Sequence, residues 1–302
     1  MSLTNFPNGV TSFGVPVIGS GGQIPSSTGS YFFVHSGTGN AGNAGKTTKK
    51  PMATIDQAIN KCTANKGDVI IVMPGHAEVL GAAGAITADV AGITIVGLGV
   101  GTSRPKLTFS AATSTFIISA ANVTIDNLYL DMADTVDAVA QAFDVGAANC
   151  TIKNVDVLMS TVTYQATSCI ITDVNCGNLK VLNCKFLAPD VGANEAINLT
   201  GVTDGVEIKN CVVAGDFAVA PIHNPTGNVL TNLLISDCVL KNDQAGDFAL
   251  ELVSASTGFL VRNFYHTSAL ATAVDPGACF SLECYACHGV DKNGLLTPAV
   301  DS

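Results

Sequence analysis

Tryptophan is absent from the 302 residues, aromatic residues make up 6%, and arginine occurs only at Arg104 and Arg262. Sugar-binding grooves lean on exposed aromatic platforms, so this scarcity argues against a long glycan groove. Charged residues amount to 13%, against about 25% in an average soluble domain. The formal charge is −10, and the only dense basic run, Lys46-Thr-Thr-Lys49-Lys50, reads as a solvated loop. Nucleic-acid binding needs a basic patch or stripe and is not expected. No apolar run approaches the ~20 residues of a membrane helix, so no membrane partner is expected either. The opening MSLTNFPNGVTSFG has neither a basic nor an apolar leader region, which predicts a chain without an export signal. The ten cysteines then read as buried thiols more naturally than as a secreted disulfide framework.

What is present is repetition. The pattern apolar-x-apolar-x-Asn-apolar-x-apolar occurs as Val123–Leu130, Cys150–Val157, Leu179–Phe186 and Val206–Val213. It returns as Leu233–Leu240, with Asp in the Asn place, and as Phe259–His266. The polar positions are Asn127, Asn154, Asn183, Asn210, Asp237 and Asn263, separated by 27, 29, 27, 27 and 26 residues. A looser copy is Ile93–Val100, with Gly97 in the Asn place. Alternation with period two means strands, and Asn or Gly between two short strands supplies a left-handed corner. A repeat of ~27 residues with such short strands fits one coil of a parallel β-helix. The fold class expected is therefore all-β.

Stacked coils place equivalent residues in columns at ~4.8 Å. Asn127, Asn154, Asn183, Asn210, Asp237 and Asn263 are expected to form an internal amide ladder. Cys184, Cys211 and Cys238 share one position with Leu128, Val155 and Phe264, which marks a core column of buried thiols. Stacked thiols one rung apart do not make a tetrahedral metal cage.

Upstream of the coils, Ala53–Cys62 has apolar residues at helical spacing between Pro51 and Gly67. It predicts a short helix that covers the open end of the core. Residues 1–30 combine prolines and glycines with single apolar residues. They read as an extended arm that orders on a partner, or as a leader without fixed structure. The expected organisation is an arm over 1–30 and a lead-in strand, loop and capping helix over 31–66. The solenoid follows over 67–270, with a C-terminal cap and tail over 271–302.

The stretch Lys49–Val79, KKPMATIDQAINKCTANKGDVIIVMPGHAEV, followed by stacked coils, resembles the opening of pectin-lyase-like proteins. More narrowly it resembles β-helix virion proteins of tailed bacteriophages, and the Asn5–Val17 arm is similar in style to their N-terminal arms. The resemblance implies a right-handed parallel β-helix. It further implies a non-catalytic virion protein, foremost a capsid decoration (cement) protein. Such a protein would be assembled in the host cytoplasm, dock on the phage major capsid protein and associate as a homotrimer. The alternative on the same fold is a tailspike or free enzyme that cleaves polysaccharide.

Candidate catalytic groups are few. The carboxylate and histidine motifs of polygalacturonase-like enzymes are missing, no Asp-Asp dipeptide occurs, and Arg104 and Arg262 have no carboxylate in their repeat positions. The best carboxylates are Asp216 and Asp247, from the AGDFA copies at Ala214–Ala218 and Ala245–Ala249, with His223 and Glu251 nearby in sequence. They either hold their turns or pair for acid–base chemistry. Near the C-terminus, Cys284-Tyr-Ala-Cys287-His288 matches a c-type haem attachment pattern, and Cys279 adds a fourth possible zinc ligand. Neighbouring Cys287 and His288 suit one tetrahedral ion poorly. The segment is expected instead to be an apolar end cap, with Phe280, Leu282 and Tyr285 closing the last coil. No catalytic residue, cofactor or metal is expected.

Overall fold

The computed structural model describes residues 10–12, 15–17, 24–25, 27–132, 138–159, 166–268, 274–288 and 292–295. They form a parallel β-solenoid with three faces. The first face is a ten-stranded sheet running from Tyr31–Val34 to Phe280–Leu282, and the other two merge into a sheet of sixteen strands. Strand pairing therefore extends on both sides of the 67–270 body read from the repeats.

Each face sends one column of side chains inward. On the first, Phe32, Ile70, Ile95, Ile125, Ile152, Val181, Ile208, Ile235 and Leu260 stack in register and are all buried. β-branched residues suit this pleated, crowded surface. The second face contributes Leu107, Leu130, Val157, Phe186, Val213, Leu240 and Tyr265. The third contributes Ile86, Phe116, Phe143, Ile170, Ile197, Ile222 and Leu250, with Phe116 and Phe143 5.3 Å apart. One apolar core fills the solenoid from Phe32 to Cys284.

Faces one and two meet at a single left-handed residue. Asn127, Asn154, Asn183, Asn210 and Asp237 hold φ between 53° and 57° there. The ladder is real in register but points outward, a correction to the internal ladder expected: Asn183 and Asn210 are exposed and the others half-buried. The amide of Asn127 donates to the Gly97 and Gly99 carbonyls at 2.8 and 3.1 Å, and that of Asn154 donates to Asp126 Oδ1 at 2.6 Å. Each corner also donates its backbone N–H to the next coil, as Asn127 to Lys153 and Asn154 to Leu182. A second corner, between the third face and the first, uses Asn65, Gly92, Asn122, Asn149, Asn178, Gly205 and Asn232 in the same conformation.

Asn263 does not belong to the corner. Ser236 pairs with Val261, so Arg262 takes the corner at φ 51° and Asn263 falls into the column of Cys184, Cys211 and Cys238. Phe264, expected in that core column, is carried outward, and Tyr265 is buried instead. The cause is the uniformly apolar run Phe259-Leu260-Val261, which fits either phase of the alternation. Only Leu260 faces the core.

The predicted helix exists but spans only Ile55–Ile59. Thr54 caps it through the Gln57 N–H, Gln57 reciprocates, and Asn60 ends it. Ile55, Ala58 and Ile59 are buried against the first rung. Glu78 takes the second-face inward position at this end, in register with Leu107. Its carboxylate is satisfied there by Ile55 N–H and His76 Nε2, both at 3.0 Å, while His76 Nδ1 accepts from Ser36 N–H. Lys46 lies 3.6 Å over the Phe32 ring. Among the described residues no helix is long and apolar enough to cross a membrane.

A left-handed corner sets a test. Asn183→Val should lower the urea-unfolding free energy by about 1–2 kcal/mol, the cost of a side chain with a branched Cβ in that conformation. Asn183→Gly should stay within about 0.5 kcal/mol of the parent. Equal losses for both would mean that the amide contacts, not the backbone, set the corner.

Candidate functional site

The two AGDFA segments do come together. The strand Val212–His223 bends at Gly215, where a Cβ would overlap the Ala188 carbonyl, so the chain passes close to its neighbour and turns from the second face to the third. On the next coil Asn242, in register with Gly215, is fully buried. Its Oδ1 accepts from Phe217 N–H at 3.0 Å and Gln244 N–H at 3.1 Å, and its Nδ2 donates to Phe217 O at 3.0 Å and Phe248 O at 2.9 Å. Asn242 thus fixes the residue that follows each aspartate. Asp216 and Asp247 lie near enough that Asp247 is raised from its ordinary carboxylate range, first by burial and then by the Asp216 charge. Two carboxylates brought close on adjacent coils, one of them raised, are groups that acid–base chemistry draws on.

A second cluster stands at the far end of the same strand, seven residues on, or about 20 Å away at strand rise. His223 Nδ1 lies 3.3 Å from Glu195 Oε1 and its Nε2 lies 3.7 Å from Glu251 Oε2, so three successive coils contribute. Glu195 is buried and accepts from Ser168 Oγ at 2.7 Å, whereas Glu251 is about one-third exposed. The imidazole sits between a held carboxylate and a solvent-facing one. Both carboxylates are within ion-pair reach of the ring, and neither contact has hydrogen-bond geometry. Residues 195, 223 and 251 are each 28 apart, close to the coil period. That spacing was the available signal for Glu195, which adjacency in sequence missed. Asn242 gave no comparable signal.

Both arginines, read as having no carboxylate in their repeat positions, are paired with one. Arg104 Nη1 pairs with Asp156 at 2.6 Å and its Nη2 donates to the Leu128 and Asn154 carbonyls, riveting several coils. Arg262 holds Asp237 with Nε at 2.7 Å and Nη2 at 2.9 Å.

Cys184, Cys211 and Cys238 form the buried column expected, and all ten cysteines are free. Each of the three thiols donates to the carbonyl two residues back, at 3.2–3.3 Å. Burial, then the bond to Cys211, pushes Cys184 well up. The bond to Cys211, then burial, does the same to Cys238. Cys211, bonded to both, is shifted down. Asn263 continues the column with its amide satisfied by Ile235 O at 2.8 Å, Tyr265 Oη at 3.1 Å and Cys238 N–H at 2.9 Å. Cys284 ends it, fully buried and donating to Leu260 O at 3.3 Å. The C-x-x-C-H residues accordingly diverge: Cys284 enters the core while Cys287 pairs with outward His266 on the next strand. The side chain of His288 lies outside the described residues. Among the described residues no group of three or more His, Cys, Asp or Glu is arranged to hold a metal ion.

No protein-family model matches the chain, and no curated protein does. Among solved structures, a rhamnogalacturonan lyase matches with 11% identity and a TM-score of 0.46, over 80% of this chain and 74% of that one.

Two measurements follow from this geometry. In the native protein, iodoacetamide should spare Cys184, Cys211, Cys238 and Cys284 while Cys287 reacts, as read by peptide mapping. Equal labelling would show that the coils open. Asp247 supplies a pH signature. Below the unfolded carboxylate's range both states carry the proton and the residue contributes nothing. As pH rises, the unfolded state ionises first and the folded state is increasingly disfavoured until its own higher pKa is passed, above which the penalty stays at its full value. Asp247→Asn should therefore raise the urea midpoint at neutral pH, with the gain vanishing near pH ~3.

Proposed function

We propose that this chain is a non-catalytic structural protein of a tailed-bacteriophage particle, a decoration protein held on the head surface. The observation that carries the reading is the N-terminal segment. Val10–Ser12 and Val15–Val17 pair antiparallel as a two-stranded sheet of their own, separate from both long sheets. An isolated hairpin is marginal in water, so a segment of this kind is suited to ordering against a partner, here the major capsid protein. The body behind it is rigid: one continuous core, backbone ladders from coil to coil, and cross-coil ion pairs such as Lys180–Glu207 at 2.8 Å and Lys153–Asp126 at 3.2 Å. The phage assignment, the virion location and a homotrimeric state rest on the resemblance of Lys49–Val79 and the arm.

Quantitative mass spectrometry of density-purified particles from the source lysate tests this, counting the chain against the major capsid protein. Copies close to stoichiometric, lost when residues 1–30 are deleted while the solenoid keeps its circular dichroism, are the expected result. A handful of copies per particle would point to a tail spike, and absence from particles would defeat the reading.

The second reading, a polysaccharide-cleaving enzyme, has one observation in its favour: the Asp216–Asp247 pair, with Asp247 raised. Alanine at both positions, with folding intact, discriminates. Loss of turnover on an acidic or neutral polysaccharide would establish the enzyme.

A further inference from the structure

The two ends of the solenoid are finished differently. At the C-terminal end Phe280, Leu282 and Tyr285, expected to close the last coil, are 47–71% exposed. Strand alternation turns Leu260, Tyr265 and Cys284 inward instead. The N-terminal end is covered, and its cover holds a cavity of about 600 Å³. It opens between the loop at 41–46, the residues that follow the helix, and the start of the Tyr31–Val34 strand. Lys46 and Lys61 both line it, together with Phe32 and Asp68.

Hydrogen bonds and close packing hold its walls. Gly45 turns the loop at φ 65°, where a Cβ would meet the Met52 side chain. Phe33 N–H donates to Gly45 O at 2.7 Å, and Asn43 Nδ2 donates to Pro51 O at 2.7 Å. Opposite them, buried Asp68 accepts from Ser30 N–H at 2.6 Å and from Thr63 N–H at 2.7 Å. These two bonds tie the segment after the helix to the lead-in. A pocket whose backbone is already ordered loses little entropy when it binds.

Its charge sets it apart from the rest of the chain. Five lysines and two aspartates fall between residues 24 and 68, a local charge of +3 in a chain of −10. Lys106, Lys153, Lys180, Lys209 and Lys241 each pair with a carboxylate, whereas Lys46 and Lys61 have none within ion-pair distance among the described residues. Asp68, the carboxylate in the pocket wall, is turned to backbone N–H groups instead. Lys46 holds its ammonium 3.6 Å over the Phe32 ring. That contact positions the ammonium without offering its N–H donors an acceptor atom.

Two ammonium groups and one carboxylate leave the pocket with a net charge of +1. A single carboxylate suits that balance, while a doubly charged phosphate would also be set against Asp68. The cavity is larger than a bare anion needs and falls in the ~300–1,000 Å³ range of sites for organic ligands. Ala41 and Ala44 supply apolar wall for the remainder of such a ligand.

We propose that this pocket is a binding site for a carboxylate carried on an organic ligand. Lys46 and Lys61 hold the carboxylate, and the loop at 41–46 takes the rest. A small organic acid and an acidic side chain of a polypeptide present the same group, so the test separates them. The site does not depend on the virion role, because the chain alone carries every residue in it.

Chemical-shift titration of the 15N-labelled full-length chain at low salt tests this, with butyrate, an end-blocked Ala-Glu-Ala peptide and inorganic phosphate as probes. Saturable shifts at residues 41–46 and 61–63 are expected with a carboxylate probe, and the tighter of the two names the source. Lys61→Gln should weaken that binding roughly tenfold with an unchanged urea midpoint, since Lys61 is exposed. Lys185→Gln, on the second face, should leave it unchanged. Absence of saturable shifts in the pocket would overturn the proposal, and so would equal affinity in Lys61→Gln and the parent. Phosphate binding more tightly than either carboxylate would overturn it as well, by giving the pocket to phosphate esters.

Discussion

Everything in this molecule depends on the chain turning a corner within one residue, in the same conformation, coil after coil. Inward columns stay inward only if each coil returns in register with the last, since a slip by one residue turns every side chain to the other face. A left-handed residue makes that turn without a loop, and asparagine tolerates it at the least cost after glycine. The corner N–H then bonds the following coil, so the turn is also part of the ladder. Two such columns, one led by Asn127 and the other by Asn65, are what convert a repetitive sequence into a continuous core.

That core is apolar for most of its length, and three of its polar exceptions are tied down, while the buried Ser236 and Thr267 hydroxyls have no hydrogen-bond partner among the described residues. Glu78 is held by the helix N-terminus and His76, Asn242 makes four bonds, and Asn263 makes three. A buried amide left unpaired costs about 1–3 kcal/mol per group, so these sites are fixed points. They also sit where the repeat is broken: at the helix-capped end, at the bend from second to third face, and at the coil where the phase shifts. Polar satisfaction is how the solenoid accommodates each irregularity without opening the core.

How much of this could be read beforehand follows from the same physics. Period-two alternation with asparagine every ~27 residues sufficed for the solenoid, its corner and the thiol column. It failed at Phe259–Val261, where three apolar residues in a row remove the phase information, and that one-residue error misplaced Asn263, Phe264 and the role of Arg262. The Asp216–Asp247 approach was visible because the segments repeat. The Glu195–His223–Glu251 cluster is spread over three coils and shows only as a spacing of 28. The Arg104–Asp156 pair runs between different columns, which a comparison of repeat positions does not test, and the Arg262–Asp237 pair lies within the corner column but was hidden by the same one-residue error. The surface fate of Phe280, Leu282 and Tyr285 was lost for a related reason: apolar residues near an end suggest a cap, but strand parity decides which way they point.

The departures from the repeat are unevenly spread. Middle coils keep asparagine at the corner and charges such as Lys153, Lys180 and Glu207 on the outer columns, whereas the first coils turn Val69, Ile71 and Val96 outward against Ile24, Tyr31, Phe33 and Leu98. The last coils replace the asparagine with Asp237, Arg262 and Glu283 and the outer charges with stacked rings. A sequence drifting without constraint would lose the left-handed preference and gain nothing. Here the loss coincides with a set of apolar ridges flanking alternating charges, so the two changes are best understood together. The end of the solenoid exchanges the corner's local preference and polar outer columns for charged corners and exposed rings, a change that strand parity alone does not require.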